Sequence, residues 1–259
     1  MKRAKIGLAL GAGAARGLAH LGVLRVLERR RIAVDFLAGS SMGALLGCLY
    51  ACGLGPDFMI KFANQLKATS WVDLGLPKRG FISGNKVEAL LRLLTRDRSF
   101  ADLETPFAAV ATDIERGERV VLRQGKLAPA VRASCSIPVV FKPVPLGGRL
   151  LVDGGLVDQV PVQVVKEMGA DFCLAVDVNR QGGYQPVNNI IDVMFQTLEI
   201  MEKKNLGASL QKADVLIRPQ VGHIGLTHFQ RVDELVALGE AAAEEALAQF
   251  PACLEAAGR

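Results

Sequence analysis

Residues 36–55 read FLAGSSMGALLGCLYACGLG, a stretch without a charged side chain. It is long enough to span a bilayer, but the small-residue turn GSSMG at 39–43 divides it into a short apolar strand and a helix. We therefore predict a buried strand–turn–helix. The Gly-x-Ser-x-Gly spacing puts Ser41 where a nucleophile elbow holds its serine. A plain packing turn of small residues fits this turn equally well.

The preceding segments repeat the same alternation. Residues 4–10, AKIGLAL, predict a buried strand, and the glycine-rich segment GAGAARG at 11–17 predicts a loop. Residues 18–30, LAHLGVLRVLERR, have the apolar spacing of a helix. Residues 106–125 predict an antiparallel hairpin. The expected fold class is therefore α/β, with a mostly parallel central sheet flanked by helices on both faces.

The composition favours one globular domain. The 259 residues are 50% hydrophobic and contain no linker-like or repeated segment, so we expect a single domain over 1–259. The net charge is +5, but the basic residues are scattered and aromatic residues make up 5%, so no nucleic-acid partner is expected. Five cysteines without zinc-ligand spacing indicate free thiols in a reducing, cytoplasmic compartment.

The glycine-rich segment 11–17 has two candidate uses. Its backbone N–H groups could cradle a pyrophosphate in an NAD(P)-binding oxidoreductase, with Asp35 binding a ribose about 20 residues further on. Alternatively, the N–H groups of Ala12, Gly13 and Ala14 could form an oxyanion hole. The second use requires this loop and the elbow serine to emerge at the same edge of the sheet.

A strand-end carboxylate is the third feature. Asp153 lies in VDGG, residues 152–155, at the end of an apolar strand. Such an aspartate often caps a turn, but an α/β enzyme also places catalytic side chains at this position. An ordinary aspartate with a pKa of about 3.9 is a poor base. Burial would raise that pKa and suit Asp153 to take a proton from Ser41.

The histidines bear on the choice between a triad and a dyad. The chain has only His20, His223 and His228. His20 lies among apolar residues and is expected to be a packed or capping side chain. The chain order permits a triad of Ser41, an aspartate and His228, but α/β-hydrolases place the elbow later in the chain. We rank a Ser–Asp dyad above a triad.

Several ordered motifs together resemble the patatin-like phospholipases, in particular their short bacterial members. The matching stretches are the glycine-rich loop, AHLGVLRVLE, GSSMG, ATDIERGERVVLRQG, AVRASCSIPVVFKPV, VDGGLVDQVPV and MGADFCLAVDV. The resemblance covers most of residues 5–178, and residues 188–259 are predicted as a helical C-terminal part. It implies a patatin-like sandwich.

The resemblance assigns roles to individual residues. Ser41 would be the nucleophile and Asp153 its general base, without a histidine. The loop at Ala12, Gly13 and Ala14 would form the oxyanion hole. The residues expected to support the loop and the elbow are Gly11, Arg16, Gly17, Gly39, Gly43, Gly154 and Gly155.

The implied activity is hydrolysis of a lipid carboxylic ester, a phospholipid or lysophospholipid, through an acyl-enzyme. No metal and no cofactor are implied, and the partners would be the lipid ester and, by peripheral contact, the inner membrane face. The sequence does not predict an oligomeric state. A regulatory protein with little turnover on the same fold is the alternative.

Two departures from the family pattern concern the site. Ala12 and Ala14 replace glycines of the loop, and alanine resists a positive φ. We therefore expect a working oxyanion hole only if both alanines have an ordinary φ. Gln159 stands where asparagine is usual, which alters local hydrogen bonding without affecting the dyad.

Overall fold

The structure is a computed structural model that describes residues 3–66, 73, 80–179, 187 and 190–248. Its strands are β1 Ile6–Leu10, β2 Phe36–Ser40, β3 Phe107–Asp113, β4 Glu118–Leu122, β5 Val144–Leu146, β6 Arg149–Asp153, β7 Phe172–Val176 and β8 Val215–Ile217. Its α-helices are α1 Ala19–Arg29, α2 Met42–Ala51, α3 Pro56–Gln65, α4 Asn85–Leu94, α5 Leu127–Ser134, α6 Val162–Glu167, α7 Ile190–Leu210 and α8 Val232–Leu247.

The strands form one sheet in the order β5-β6-β3-β2-β1-β7-β8, and β4 also pairs with β3. The pairings among β3, β2, β1, β7 and β8 are parallel. Strands β4, β5 and β6 form the antiparallel part. The predicted α/β fold with a mostly parallel central sheet is therefore confirmed.

Two apolar layers cover the two faces of the sheet. On one face, Leu8 and Leu10 of β1 pack in a core with buried residues of α1, α2 and α8. On the other face, Ala9, Ala38 and Ala108 pack against α6. Small side chains on this second face let the short α6 lie close to the strands, and burial of both layers stabilises the sandwich.

Strand β3 brings the ends of two other strands, β2 and β6, together. One edge of β3 is occupied by β4 along residues 109–113. The other edge is shared, because β2 pairs with residues 107–110 and β6 with residues 111–113. Ser40 thus lies opposite Val110, and Asp153 lies opposite the next residue, Ala111. The carboxyl ends of β2 and β6 consequently meet.

The stretch 36–55 folds as predicted, into β2 and α2 around the turn. The glycine-rich segment differs from its prediction as a plain loop, because residues 14–18 form a 3-10 helix that leads directly into α1. The predicted C-terminal part contains α7, β8 and α8, while residues 188–189 and 249–259 lie outside the described residues. Among the described helices, none has the length and apolar character needed to cross a membrane.

Candidate active site

Ser41 occupies a strained turn between β2 and α2. Its backbone has φ 51° and ψ −121°, and it is the N-cap residue of α2. A positive φ is uncommon for a residue other than glycine and marks the sharp turn of an elbow. The flanking glycines are required sterically, because a Cβ at Gly39 would lie 2.4 Å from the carbonyl of Gly43, and a Cβ at Gly43 would lie 2.2 Å from the carbonyl oxygen of Leu10.

Asp153 contacts this serine directly. The Ser41 hydroxyl donates to Asp153 Oδ2 at 2.5 Å, and the backbone N–H of Gly155 donates to Asp153 Oδ1 at 2.8 Å. Asp153 is only 6% exposed. Burial raises its pKa to about 6, although both hydrogen bonds act in the opposite direction. The site therefore joins a serine to a carboxylate that is more basic than an ordinary aspartate.

The end of α5 and the residues that follow it hold Ser41 and Asp153 through contacts that the sequence did not suggest. Ser134 Oγ accepts from the N–H of Ser41 at 3.0 Å and donates to the carbonyl of Val110 at 2.5 Å. The N–H of Asp153 donates to the carbonyl of Ser136 at 2.9 Å. The small polar run SCS within AVRASCSIP was the available signal, but no role had been predicted for it.

The glycine-rich loop lies beside Ser41 and has two uncommitted donors. Three N–H groups of the loop are used, since Gly11 donates to Val176, Ala12 to Gln159 at 2.9 Å and Ala15 to Leu226. Within the described part of the chain, the N–H groups of Gly13 and Ala14 have no acceptor. The prediction of Ala12 as an oxyanion donor is therefore wrong, because its N–H already serves the carbonyl of Gln159.

The expectation that both alanines need an ordinary φ is not met at Ala14, and the expectation was too strict, because a positive φ strains the backbone there but leaves the N–H as a donor. Ala14 has φ 44°, in the region that alanine resists, whereas Ala12 is not among the residues with positive φ. The strain at Ala14 is held by its neighbours, because Ala15 is tied to Leu226 and Arg16 to Ile224. A side chain at Gly13 would require Val178 to move, since its Cβ would lie 2.5 Å from Val178 Cγ2.

Arg16 ties the loop to the C-terminal part of the chain. Its side chain is fully buried, and its Nε donates to the carbonyl of Ile224 at 2.6 Å. A second guanidinium nitrogen pairs with Glu199 Oε1 on α7 at 3.1 Å. This arrangement agrees with a role in fixing the loop.

The remaining support glycines allow close approach of neighbouring atoms. A Cβ at Gly17 would lie 2.4 Å from Met42 Cγ, and one at Gly154 would lie 2.1 Å from the carbonyl oxygen of Val110. A Cβ at Gly11 would lie 2.9 Å from the carbonyl oxygen of Val176. A Cβ at Gly155 would lie 2.8 Å from Gln159 Oε1. A side chain at Gly11 or Gly154 would therefore require the backbone to shift, whereas at Gly17 or Gly155 a neighbouring side chain would have to move.

The histidines lie away from the serine hydroxyl. His20 is buried and donates from Nε2 to the carbonyl of Gly11 at 2.8 Å, and burial lowers its pKa to about 4. It is therefore the packed histidine that we predicted. His228 Nδ1 accepts from the N–H of Gly225, and His223 pairs with Glu234. None of the three lines the cavity at Ser41, which argues against the triad.

The ribose-binding role considered for Asp35 is wrong. Asp35 precedes β2 and accepts from the N–H of Ile6, the first residue of β1. It therefore lies at the amino edge of the parallel strands, whereas the glycine-rich loop follows their carboxyl edge. A dinucleotide-binding aspartate would have to lie at the carboxyl edge with the loop.

A small cavity of about 50 Å³ opens at Ser41 and Asp153. The glycine-rich loop forms one wall, and Gln159 and Asn179 contribute polar groups. Its apolar lining residues are Ile137, Pro138, Leu156, Phe195, Leu198 and Leu226. The arrangement brings together a serine hydroxyl, a buried carboxylate and backbone N–H groups, a combination that suits acyl transfer.

The patatin-like phospholipase family model matches residues 8–166, which contain the elbow, the loop and the strand-end aspartate. The chain belongs to this family. An uncharacterized NTE family protein of Mycobacterium tuberculosis is 36% identical over 177 residues, covering 68% of this chain and 49% of the relative. A patatin-like phospholipase domain-containing protein of Caenorhabditis elegans is 37% identical over 186 residues, covering 67% of this chain and 13% of the relative. The chain spans about half the length of the mycobacterial relative.

Solved structures share the fold at low sequence identity. VipD from Legionella pneumophila matches with a TM-score of 0.57 and 13% identity, over 95% of this chain and 67% of VipD. The type III effector protein ExoU matches with a TM-score of 0.52 and 14% identity, over 98% of this chain and 54% of ExoU. These patatin-like structures support the sandwich architecture.

Proposed function

We propose that this chain is a serine acyl hydrolase that cleaves lipid carboxylic esters through a Ser41–Asp153 dyad. The observation that carries the proposal is the 2.5 Å hydrogen bond from Ser41 Oγ to the buried carboxylate of Asp153. Family membership supplies the lipid ester as substrate class. The acyl group of a phospholipid or lysophospholipid would lie against the apolar side of the cavity.

In acylation, Ser41 Oγ attacks the acyl carbon and its proton passes to Asp153. A carboxylate whose pKa is raised to about 6 by burial remains mostly ionised at neutral pH while accepting a proton more readily than an ordinary aspartate. The N–H groups of Gly13 and Ala14 would stabilise the oxyanion, and loss of one such donor typically lowers kcat by ~10²–10³. The N-terminus of α2 at Ser41 also favours the developing negative charge.

Collapse of the tetrahedral intermediate breaks the bond between the acyl carbon and the alcohol oxygen. The departing alcohol takes the proton from Asp153, which leaves the acyl group on Ser41. Water then attacks the acyl carbon, Asp153 accepts one water proton, and this proton returns to Ser41 Oγ as the fatty acid leaves. The same carboxylate thus serves both half-reactions, so a histidine is unnecessary.

Release of fatty acid from lysophosphatidylcholine tests the proposal. Ser41→Ala should lower the rate by roughly 10³-fold or more, as expected for loss of a nucleophile. Ser40→Ala is the matched control, because Ser40 is the adjacent buried serine and its hydroxyl donates to the carbonyl of Asp158. This control should retain activity within about tenfold, since one hydrogen bond is lost.

The alternative, a regulatory protein with little turnover, makes a different prediction. It would react once at Ser41 with a fluorophosphonate but release no more fatty acid than Ser41→Ala. Equal rates for the wild type and Ser41→Ala on phospholipid and lysophospholipid substrates would therefore contradict a hydrolase.

A further inference from the structure

Gln159 has one amide atom that the protein leaves without a partner. The residue is 6% exposed and lines the cavity at Ser41. Its Nε2 donates to the carbonyl of Ala12 at 3.2 Å and to Asn179 Oδ1 at 2.8 Å. Its Oε1 accepts no hydrogen bond from the described residues. A buried acceptor without a donor is destabilising, so such an atom in a cavity points to a ligand.

The orientation of this amide is fixed by its neighbours. Asn179 Nδ2 donates to Asp177 Oδ1 at 2.9 Å, and a carboxylate can only accept, so Asn179 must turn Oδ1 toward Gln159. Rotating the Gln159 amide by half a turn would put Oε1 against Asn179 Oδ1 and the carbonyl of Ala12, which are both acceptors. Oε1 is therefore the atom left over.

The unpartnered oxygen lies next to the base. A Cβ built on Gly155 would be 2.8 Å from Gln159 Oε1, 2.9 Å from Ala12 Cβ and 3.1 Å from Asp153 Oδ1, so the two oxygens lie on the same side of Gly155, and both residues line the cavity. Glu199 Oε2 is a second unpartnered acceptor among the cavity-lining residues. The other oxygen of Glu199 pairs with Arg16, and the atoms nearest to an added Cβ at Gly155 belong to Gln159, Ala12 and Asp153 rather than to Glu199.

We propose that Gln159 Oε1 binds and orients the hydrolytic water of deacylation, an inference that rests on the proposed acyl hydrolase function. One water hydrogen donates to Asp153 and the other to Gln159 Oε1. The water oxygen then bonds to the acyl carbon, and the bond from that carbon to Ser41 Oγ breaks. The proton taken by Asp153 passes to Ser41, and the hydrogen held by Gln159 remains on the carboxylic acid product.

Competition between water and methanol for the acyl-enzyme tests this role. Methanol has one O–H hydrogen, which Asp153 takes, and a methyl group where water has its second hydrogen. The enzyme is acylated by p-nitrophenyl butyrate in aqueous methanol, and the ratio of butyric acid to methyl butyrate is measured. This product ratio should therefore be higher for the wild type than for a variant without Oε1. Gln159→Met, which retains the length of the side chain, should lower this product ratio roughly two- to tenfold.

Asn179→Ala is the matched control. It removes one partner of the Gln159 amide but leaves Oε1 in place, and the Ala12 carbonyl still holds Nε2. Both variants should loosen the loop and slow acylation, but the product ratio is set after acylation and should change only in Gln159→Met. An unchanged ratio in Gln159→Met, or an equal change in both variants, would overturn the inference.

A wild-type crystal structure that resolves ordered waters provides a test that does not depend on a variant folding. A water within about 2.6–3.2 Å of Gln159 Oε1 is expected, and an oxygen without any such water would overturn the inference. A failure of the proposed function is distinguishable, because it would yield neither butyric acid nor methyl butyrate above the level of Ser41→Ala.

Discussion

At the scale of single residues, Asp153 combines two opposed effects of burial. Its low exposure raises the pKa to about 6 and so improves the carboxylate as a base. The same burial makes the ionised form less favourable in the folded protein than in the unfolded chain. The residue that would perform the chemistry therefore lowers the stability of the fold at neutral pH.

Asp153→Asn should consequently gain stability relative to the wild type as the pH rises. In the folded wild type, the pKa of Asp153 is about 6, above its ordinary value of 3.8. Protonated Asp153 therefore stabilises the wild-type fold, and this stabilisation is complete below pH 3.8. It is lost as the pH rises toward 6, by about 3 kcal/mol in total. Urea unfolding of both proteins between pH 4 and pH 7 measures the difference.

Glu104→Gln is the control for this comparison, because Glu104 is an exposed carboxylate. Its difference from the wild type measures the effect of removing an exposed carboxylate over the same range, and the difference of Asp153→Asn is compared with it. If Asp153→Asn gave the same difference over this range, the pKa of Asp153 would not be raised.

The sequence was sufficient to propose Ser41, Asp153 and the glycine-rich loop, because each lies at a strand end with a recognisable spacing. It could not show which N–H groups of the loop are free. Ala12 was wrongly assigned because its acceptor is the carbonyl of Gln159, which is distant along the chain. Ser134 was missed for the same reason, since its contacts to Ser41 and Val110 exist only in the folded protein.

At the scale of elements, the placement of α2 on β1 determines where Ser41 lies. Gly43→Ala would put a Cβ 2.2 Å from the carbonyl oxygen of Leu10 and 2.7 Å from that of Gly11, so α2 would have to move away from β1. We expect a loss of about 1–3 kcal/mol in unfolding free energy. The displaced serine should also lower kcat by roughly 10²-fold, as measured by ester hydrolysis and thermal unfolding.

Gly55→Ala provides the corresponding control, because Gly55 has φ −66° and nothing lies within 4 Å of its added Cβ. It should leave kcat and the melting temperature near the wild-type values. A Gly43→Ala enzyme with wild-type kcat would show that this close contact does not position the serine.

The elements were largely predictable because local periodicity and turn residues define them. The strand–turn–helix at 36–55 and the hairpin at 106–125 follow from such patterns. The 3-10 helix at 14–18 was not predicted, since its short length gives no periodicity. The end-to-end meeting of β2 and β6 along β3 depends on pairing between distant segments, which a single sequence does not reveal.

At the scale of the whole molecule, α7 links the cavity to an exposed apolar surface. Phe195 and Leu198 line the cavity, while Val193 and Ile200 on the same helix are 52% and 54% exposed. Exposed apolar side chains beside a site that would act on lipids suit contact with a membrane surface. This arrangement supports the proposed peripheral contact.

The double variant Val193→Asp with Ile200→Asp should bind vesicles of phosphatidylglycerol and phosphatidylcholine at least about tenfold more weakly than the wild type, because two apolar contacts are lost. Co-sedimentation measures the bound fraction. Phe58→Asp is the control, since Phe58 is an exposed apolar residue on α3, which packs against α1 and α8. Equal binding by the wild type and the double variant would contradict a membrane contact through this face of α7.

The pH dependence of covalent labelling by a fluorophosphonate examines the dyad itself. Mass spectrometry of the labelled protein should locate the adduct on Ser41, and the labelling rate should rise with pH through an apparent pKa of about 6 as Asp153 ionises. Asp153→Asn should react far more slowly at every pH. Three results would contradict a Ser41–Asp153 dyad. The label could lie on another residue, the protein could stay unlabelled while a known serine hydrolase in the same tube reacts, or Asp153→Asn could react as fast as the wild type.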